Sequence, residues 1–152
     1  MEFNEYFNNI NNKIEQSTEY TLRTDFEILM NKIKPRKSIG IIQENSTLAK
    51  FQTLPKFTGR PDFKITENDL EIGWIETKPY NDDLSAYVDT PQLKRYLNVI
   101  PNLLFTNYRD FILFKDGEPI LNSTLIIKGE KKLQDSNIEK TKQLIGEFFD
   151  AK

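Results

Sequence analysis

Gly59-Arg-Pro-Asp62-Phe-Lys-Ile-Thr66-Glu-Asn-Asp69-Leu70-Glu-Ile-Gly-Trp-Ile-Glu76-Thr-Lys78 is the most informative stretch of this chain. Phe63 to Thr66 and Leu70 to Thr77 read as two strands around a turn at Glu67, Asn68 and Asp69. Pro79 ends the second strand. With the turn centred near Asp69, an antiparallel register sets Asp62 opposite Glu76. Directly opposed residues share one face, with Cβ atoms about 4.5–5.5 Å apart. Lys78, two residues beyond Glu76, points to the same face. A tight two-residue turn would slip the pairing by one and spoil this, unless a bulge restores it.

Two carboxylates so close repel one another unless something positive lies between them. A divalent cation between Asp62 and Glu76 would relieve the repulsion and leave open positions for water and a phosphate oxygen. The backbone carbonyl of Thr77 is a further candidate ligand. Lys78 would stand beside the attacking water, orienting it or stabilising charge that develops on phosphorus. The plainer reading is a turn aspartate and a solvated Glu-x-Lys on a strand, and the two residue pairs alone do not decide between them.

Working outward, Glu2 to Gln16 place Phe3, Phe7, Ile10 and Ile14 at helical spacing, which suits a short first helix or a loosely docked terminus. Ser17-Thr18 can cap a second helix that runs to about Ile33 and stops at Pro35. Leu22, Phe26, Leu29, Met30 and Ile33 form its buried stripe. Ser38 to Gln43 reads as a strand, and Tyr80 to Asp89 as a polar, acidic loop. Asp89-Thr90-Pro91 opens a helix through Leu93, Tyr96, Leu97 and Ile100. Leu103 to Thr106, Phe111 to Phe114 and Ile120 to Lys128 follow as strands, the last two joined by a hairpin turn at Asp116-Gly117. Ser136-Asn-Ile-Glu139 has the capping-box pattern and opens a last helix. Helices and strands in this order imply an α/β fold with one mixed sheet flanked by helices. The expected organisation is one domain over residues 1–152, with a helical part at 1–34, a core at about 38–128 and a terminal helix at about 137–150.

Composition narrows the chemistry. The chain has neither histidine nor cysteine, which excludes catalytic triads, Cys-His pairs, His-ligated zinc and disulfides. Acid–base work falls to carboxylates, lysine, tyrosine or metal-bound water, and an oxygen-ligated cation such as Mg²⁺ is the natural cofactor. No apolar run approaches the roughly 18 residues of a membrane span, and the first residues carry no secretory pattern, so a cytoplasmic protein is expected. The net charge of −2 argues against strong autonomous binding to nucleic acid.

The motifs together resemble the PD-(D/E)XK nucleases, most of all the N-terminal nuclease domain of single-chain type IIG and type ISP restriction-modification enzymes. The resemblance rests on Thr18 to Arg23, Gly59 to Phe63, Ile72 to Lys78, Gln92 to Tyr96 and Asn102 to Tyr108, in that order and spacing. It implies Asp62 and Glu76 as metal ligands, Lys78 as the catalytic lysine, and Mg²⁺ as cofactor with Mn²⁺ able to substitute. Gln92 and Tyr96 match the family's QxxxY element; four apart on a helix, they share a face and would contact DNA phosphate or support the site. The family also places a helix carboxylate near the metal. At ~100° per residue, Glu19 lies about 36° from the apolar stripe and Glu27 about 116°, which favours Glu19. Lys56, Arg60, Lys94, Arg95 and Arg109 fall on segments near the expected site, with solvated surface as the default for each. The implied function is endonucleolytic hydrolysis of double-stranded DNA, with methylation and target recognition carried by other domains of a longer polypeptide. A transient dimer on DNA would allow both strands to be cut. A non-catalytic module of the same fold, or a nuclease acting on RNA or DNA ends, are the alternatives. Whether the chain is an excised domain or a stand-alone relative stays open.

Overall fold

The computed structural model describes residues 2–13, 19–44 and 60–150, with the side chains of 19–21 excepted. The first helices are α1 (Glu2–Lys13) and α2 (Glu19–Ile33), followed by strands β1 (Ile39–Gln43), β2 (Phe63–Glu67) and β3 (Leu70–Thr77). Helix α3 (Pro91–Val99) leads into β4 (Asn102–Thr106), β5 (Asp110–Lys115) and β6 (Glu118–Thr124), and α4 (Asp135–Phe149) closes the described chain. The six strands form one sheet in chain order, as a mixed α/β fold. Four of its pairings are antiparallel, while β3 and β4 run parallel. A parallel pair needs a crossover, and α3 supplies it.

Helices cover both faces. Phe26 and Leu29 of α2, Phe7 and Ile10 of α1, and Phe148 of α4 pack with Ile65, Ile75 and Leu104 on one side. Leu93 and Tyr96 of α3 pack with Trp74, Leu103 and Phe105 on the other. The central strand β4 is buried along its whole length, as expected of a strand covered on both faces. The N-terminal segment is helical, and Phe3, Tyr6, Phe7 and Ile10 bury its apolar side. Ile14 and the proposed cap at Ser17-Thr18 lie outside the described residues.

The decisive hairpin has the two-residue turn. Asn68 and Asp69 both take positive φ (53° and 67°), and Glu67 pairs directly with Leu70. Such a turn matches the twist of the flanking strands. By itself it would leave Asp62 out of line with Glu76. A bulge corrects it: Thr66 pairs with Glu71 but Ile65 with Gly73, so Ile72 is the extra residue. Asn102 Nδ2 donates to the carbonyl of Ile72 at 2.8 Å and to that of Phe148 at 2.9 Å, which binds the bulge to β4 and α4. Beyond it Phe63 pairs with Ile75, the register that aligns Asp62 with Glu76.

Two sequence expectations are corrected. The last helix does not use Ser136 as its cap: it starts at Asp135, and Gln134 at the cap position makes no side-chain capping bond. The amides of Asn137 and Ile138 both donate to the Gln134 carbonyl at 3.0 Å, so the chain is already wound before Ser136 can act. The last strand ends at Thr124 rather than Lys128. Leu125 and Ile126 turn their amides to the Arg109 carbonyl (2.7 and 3.3 Å) and bury their side chains, which takes the backbone out of the ladder.

Candidate active site

Strand ends build the site. The Glu44 amide donates to the Asp62 carbonyl at 2.9 Å, extending the β1–β2 ladder to Asp62. The Lys78 amide donates to the Thr106 carbonyl at 2.9 Å and extends the β3–β4 ladder likewise. Alternation along β3 sends Trp74, Glu76 and Lys78 to the α3 side and Ile75 and Thr77 to the α2 side. Glu76 Oε2 and Lys78 Nζ lie 3.2 Å apart. Asp62 Oδ2 accepts from the Thr77 amide at 2.8 Å and from its hydroxyl at 2.7 Å. Its Oδ1 accepts from Arg23 Nη2 at 2.7 Å.

Glu76 is buried, and among the described residues its Oε1 has no hydrogen-bond partner. Burial pushes its carboxyl up to about 8, the negative charge of Asp62 adds to the rise, and Lys78 pulls the other way. Lys78 is held from three sides. Besides Glu76, its Nζ donates to Gln92 Oε1 at 3.0 Å and lies 4.7 Å from the centre of the Tyr87 ring. Gln92 reaches it from the first turn of α3, which Thr90 caps and Pro91 begins. Tyr96, one turn on, is buried, and its hydroxyl bonds to the Gln92 side chain. Burial, then the charges of Glu76 and Asp62, raise its phenol well above the ordinary value.

The structure thus gathers Asp62, Glu76, Thr77, Lys78, Gln92 and Tyr96 in one place. Glu19 opens α2, but its side chain lies outside the described residues, as does Lys56. Glu27 turns to β1, where its Oε1 accepts from Gln43 Nε2 at 3.2 Å. Arg60 lies 3.6 Å from Glu44 Oε1, and Lys94 and Arg95 are exposed on α3. Arg109 departs from its surface default. It donates to the carbonyls of Tyr80 (2.9 Å) and Asp82 (3.2 Å) and to Asp110 Oδ2 (2.7 Å), tying the segment after Lys78 to the β4–β5 turn.

Sequence reading passed over two neighbours of the site. Arg23 is a buried arginine beside the apolar stripe of α2; it ends the Thr18 to Arg23 segment of the resemblance, but nothing there gives it a role. Tyr87 ends a 3₁₀ turn, Leu84–Tyr87, inside what reads as a polar loop. Its ring packs edge-on to Phe105 and its hydroxyl bonds to Asp82. Nothing in the local sequence marks it.

Among the described residues no three His, Cys, Asp or Glu side chains gather as a metal cage. Two carboxylates suffice for an ion that keeps most of its waters, as Mg²⁺ does. The unpartnered Oε1 of Glu76 beside the Asp62 carboxylate fits a hard cation, and the all-oxygen donor set suits Mg²⁺ over softer metals.

Fold and site define a mixed α/β domain with a carboxylate–lysine cluster at the strand ends of its central hairpin. No protein-family model matches the chain, and no curated protein matches it in sequence. Among solved structures it is similar to part of the chain in the cryo-EM structure of the DrdV–DNA complex, with a TM-score of 0.71 at 18% identity. The likeness covers 98% of this chain and spans 13% of that one, and at this identity it shows the fold. No helix among the described residues is long and apolar enough to cross a membrane.

Proposed function

We propose that this chain is a Mg²⁺-dependent endonuclease domain of the PD-(D/E)XK type that hydrolyses DNA phosphodiesters as the cleavage part of a restriction-modification enzyme. The observation that carries the reading is the junction of Asp62, Glu76 and Lys78, with one buried oxygen of Glu76 left unpartnered among the described residues. The DrdV likeness supports it from outside the site: a domain of this fold forms a small part of a chain solved with DNA.

Asp62 and Glu76 would hold the cation, with the Thr77 carbonyl as a further ligand. The bound ion supplies Lewis acidity toward a phosphoryl oxygen and lowers the pKa of a coordinated water. The protein's own groups do the rest. Thr77 fixes the Asp62 carboxylate through two hydrogen bonds. Gln92 and the Tyr87 ring hold the Lys78 ammonium at the edge of the site, where it orients the attacking water and meets charge growing on the phosphoryl oxygens. Tyr96 holds Gln92 in turn.

The test is Mg²⁺-dependent nicking of supercoiled plasmid by the chain at high concentration, beside Asp62→Ala and Lys78→Ala. The expected result is cleavage that falls at least ~100-fold in both variants. Cleavage that survives both substitutions would place the chemistry elsewhere. Linear duplex and RNA, tested in parallel, distinguish an endonuclease on duplex DNA from an enzyme acting on ends or on RNA.

A further inference from the structure

We infer that Arg23 is a built-in counter-cation for Asp62 and sets how strongly the site draws a divalent ion. This rests on the metal-dependent reading above. Arg23 comes from α2, 39 residues before Asp62, and its side chain is only 7% exposed. Its Nη2 lies 2.7 Å from Asp62 Oδ1, and its Nε lies 3.4 Å from Thr77 Oγ1. Thr77 separately gives Asp62 Oδ2 two hydrogen bonds, at 2.7 and 2.8 Å. Thr77 and the guanidinium thus both hold the carboxylate, and the two Thr77 bonds do not depend on the charge of Arg23.

What Arg23 adds is charge. A guanidinium does not lose its proton inside a protein, so the charge is permanent. Among the described side chains, and with both carboxylates ionised as metal ligands are, Asp62 and Glu76 are balanced by Arg23 and Lys78. A divalent ion entering between these four balanced groups leaves them with a strong positive excess. An anionic phosphodiester oxygen entering with the ion offsets that excess. The arrangement thus favours the cation together with a phosphate over the cation alone, and Arg23 supplies half of the balancing charge beside Lys78. It acts through Asp62 and is a positioning and charge-setting residue, not a catalytic one.

The experiment is calorimetric titration of the full chain with Mn²⁺, without DNA, for the unmodified protein, Arg23→Met, Arg23→Lys and Asp62→Ala. Removing a permanent unit charge so close to a divalent ion should tighten Mn²⁺ binding at least ~10-fold in Arg23→Met. Arg23→Lys, which keeps the charge, should stay within about threefold of the unmodified chain. Equal or weaker binding by folded Arg23→Met overturns the inference, and so does an equal gain in Arg23→Lys. Breaking a buried pair strands the other charge, so Arg23→Met could be unfolded without metal. The same titration is then followed by helical circular dichroism: recovery with Mn²⁺ supports the inference and no recovery overturns it. Binding unchanged in Arg23→Met but lost in Asp62→Ala defeats the inference and leaves the nuclease reading standing. No Mn²⁺ bound by either the unmodified chain or Arg23→Met defeats both.

Discussion

Glu76 is held where an ionised carboxylate is unwelcome: buried, near the charge of Asp62, and with one oxygen unpartnered among the described residues. Its pKa in the fold, about 8, stands above the ordinary 4.5, so between those pH values the folded chain binds more protons than the unfolded one. Stability contributed by the protonated form is complete below about 4.5 and is lost as pH rises toward 8. Glu76→Gln, neutral at every pH, should therefore match the unmodified chain near pH 4.5 and outlast it above, with a Tm gain on the order of 10 °C at pH 8. On the proposed reading the same substitution removes an anionic metal ligand and should abolish cleavage, a trade of stability against function. Equal melting of the two proteins from pH 5 to 8 would mean that Glu76 ionises in the ordinary range. Roles at this level were unevenly legible. Glu76 and Lys78 share a face because strand alternation requires it, and that is a local property of the sequence. The bond from Arg23 to Asp62 depends on how α2 docks on the sheet, and no local rule reports it. Tyr87 beneath Lys78 depends on a 3₁₀ turn whose sequence reads as loop.

The hairpin shows how one element's irregularity sets the site. Asn68-Asp69 forces a two-residue turn, and the bulge at Ile72 then returns the far end of the hairpin to the register that aligns Asp62 with Glu76. The sequence made both possibilities visible; what it did not reveal was the partner that holds the bulge. That partner is Asn102, bonded to the Ile72 carbonyl, and it needs Gly73 to be small. A Cβ at Gly73 would meet Asn102 Nδ2 at 2.7 Å and the Phe148 ring at 3.0 Å. Gly73→Ala should cost about 1–3 kcal/mol in denaturant unfolding and lower cleavage by more than its residual folded fraction explains. Gly146→Ala is the control. It lies in α4 with nothing within 4 Å of an added Cβ, and should stabilise the chain by about 0.5–1 kcal/mol. Equal effects of the two substitutions would show that the bulge does not govern the register. Elsewhere the boundaries that reading missed, at Thr124 and Asp135, follow from backbone bonds to Arg109 and Gln134 that no local pattern encodes.

Charge over the entire chain bears on how DNA reaches the site. With 21 basic against 23 acidic residues, the chain lacks the basic excess that phosphate contacts require of an autonomous binder. Several of its cations are spent internally: Arg109 ties two loops, Arg23 neutralises Asp62, and Arg60 and Lys64 face Glu44. Lys94 and Arg95 on α3 are exposed on the element that carries Gln92. On the proposed reading, such a surface suits a cleavage module that receives DNA from elsewhere. The isolated chain should therefore bind duplex DNA weakly and without sequence preference, with a Kd above about 1 μM near physiological salt. Joined by a flexible linker to a sequence-specific DNA-binding domain, it meets DNA at an effective concentration of order millimolar. Cleavage near the bound site should then appear at an enzyme concentration ~100-fold or more below that needed by the free chain. Cleavage unimproved by the tether, or nanomolar and sequence-specific binding by the free chain, would show that this surface finds its own DNA.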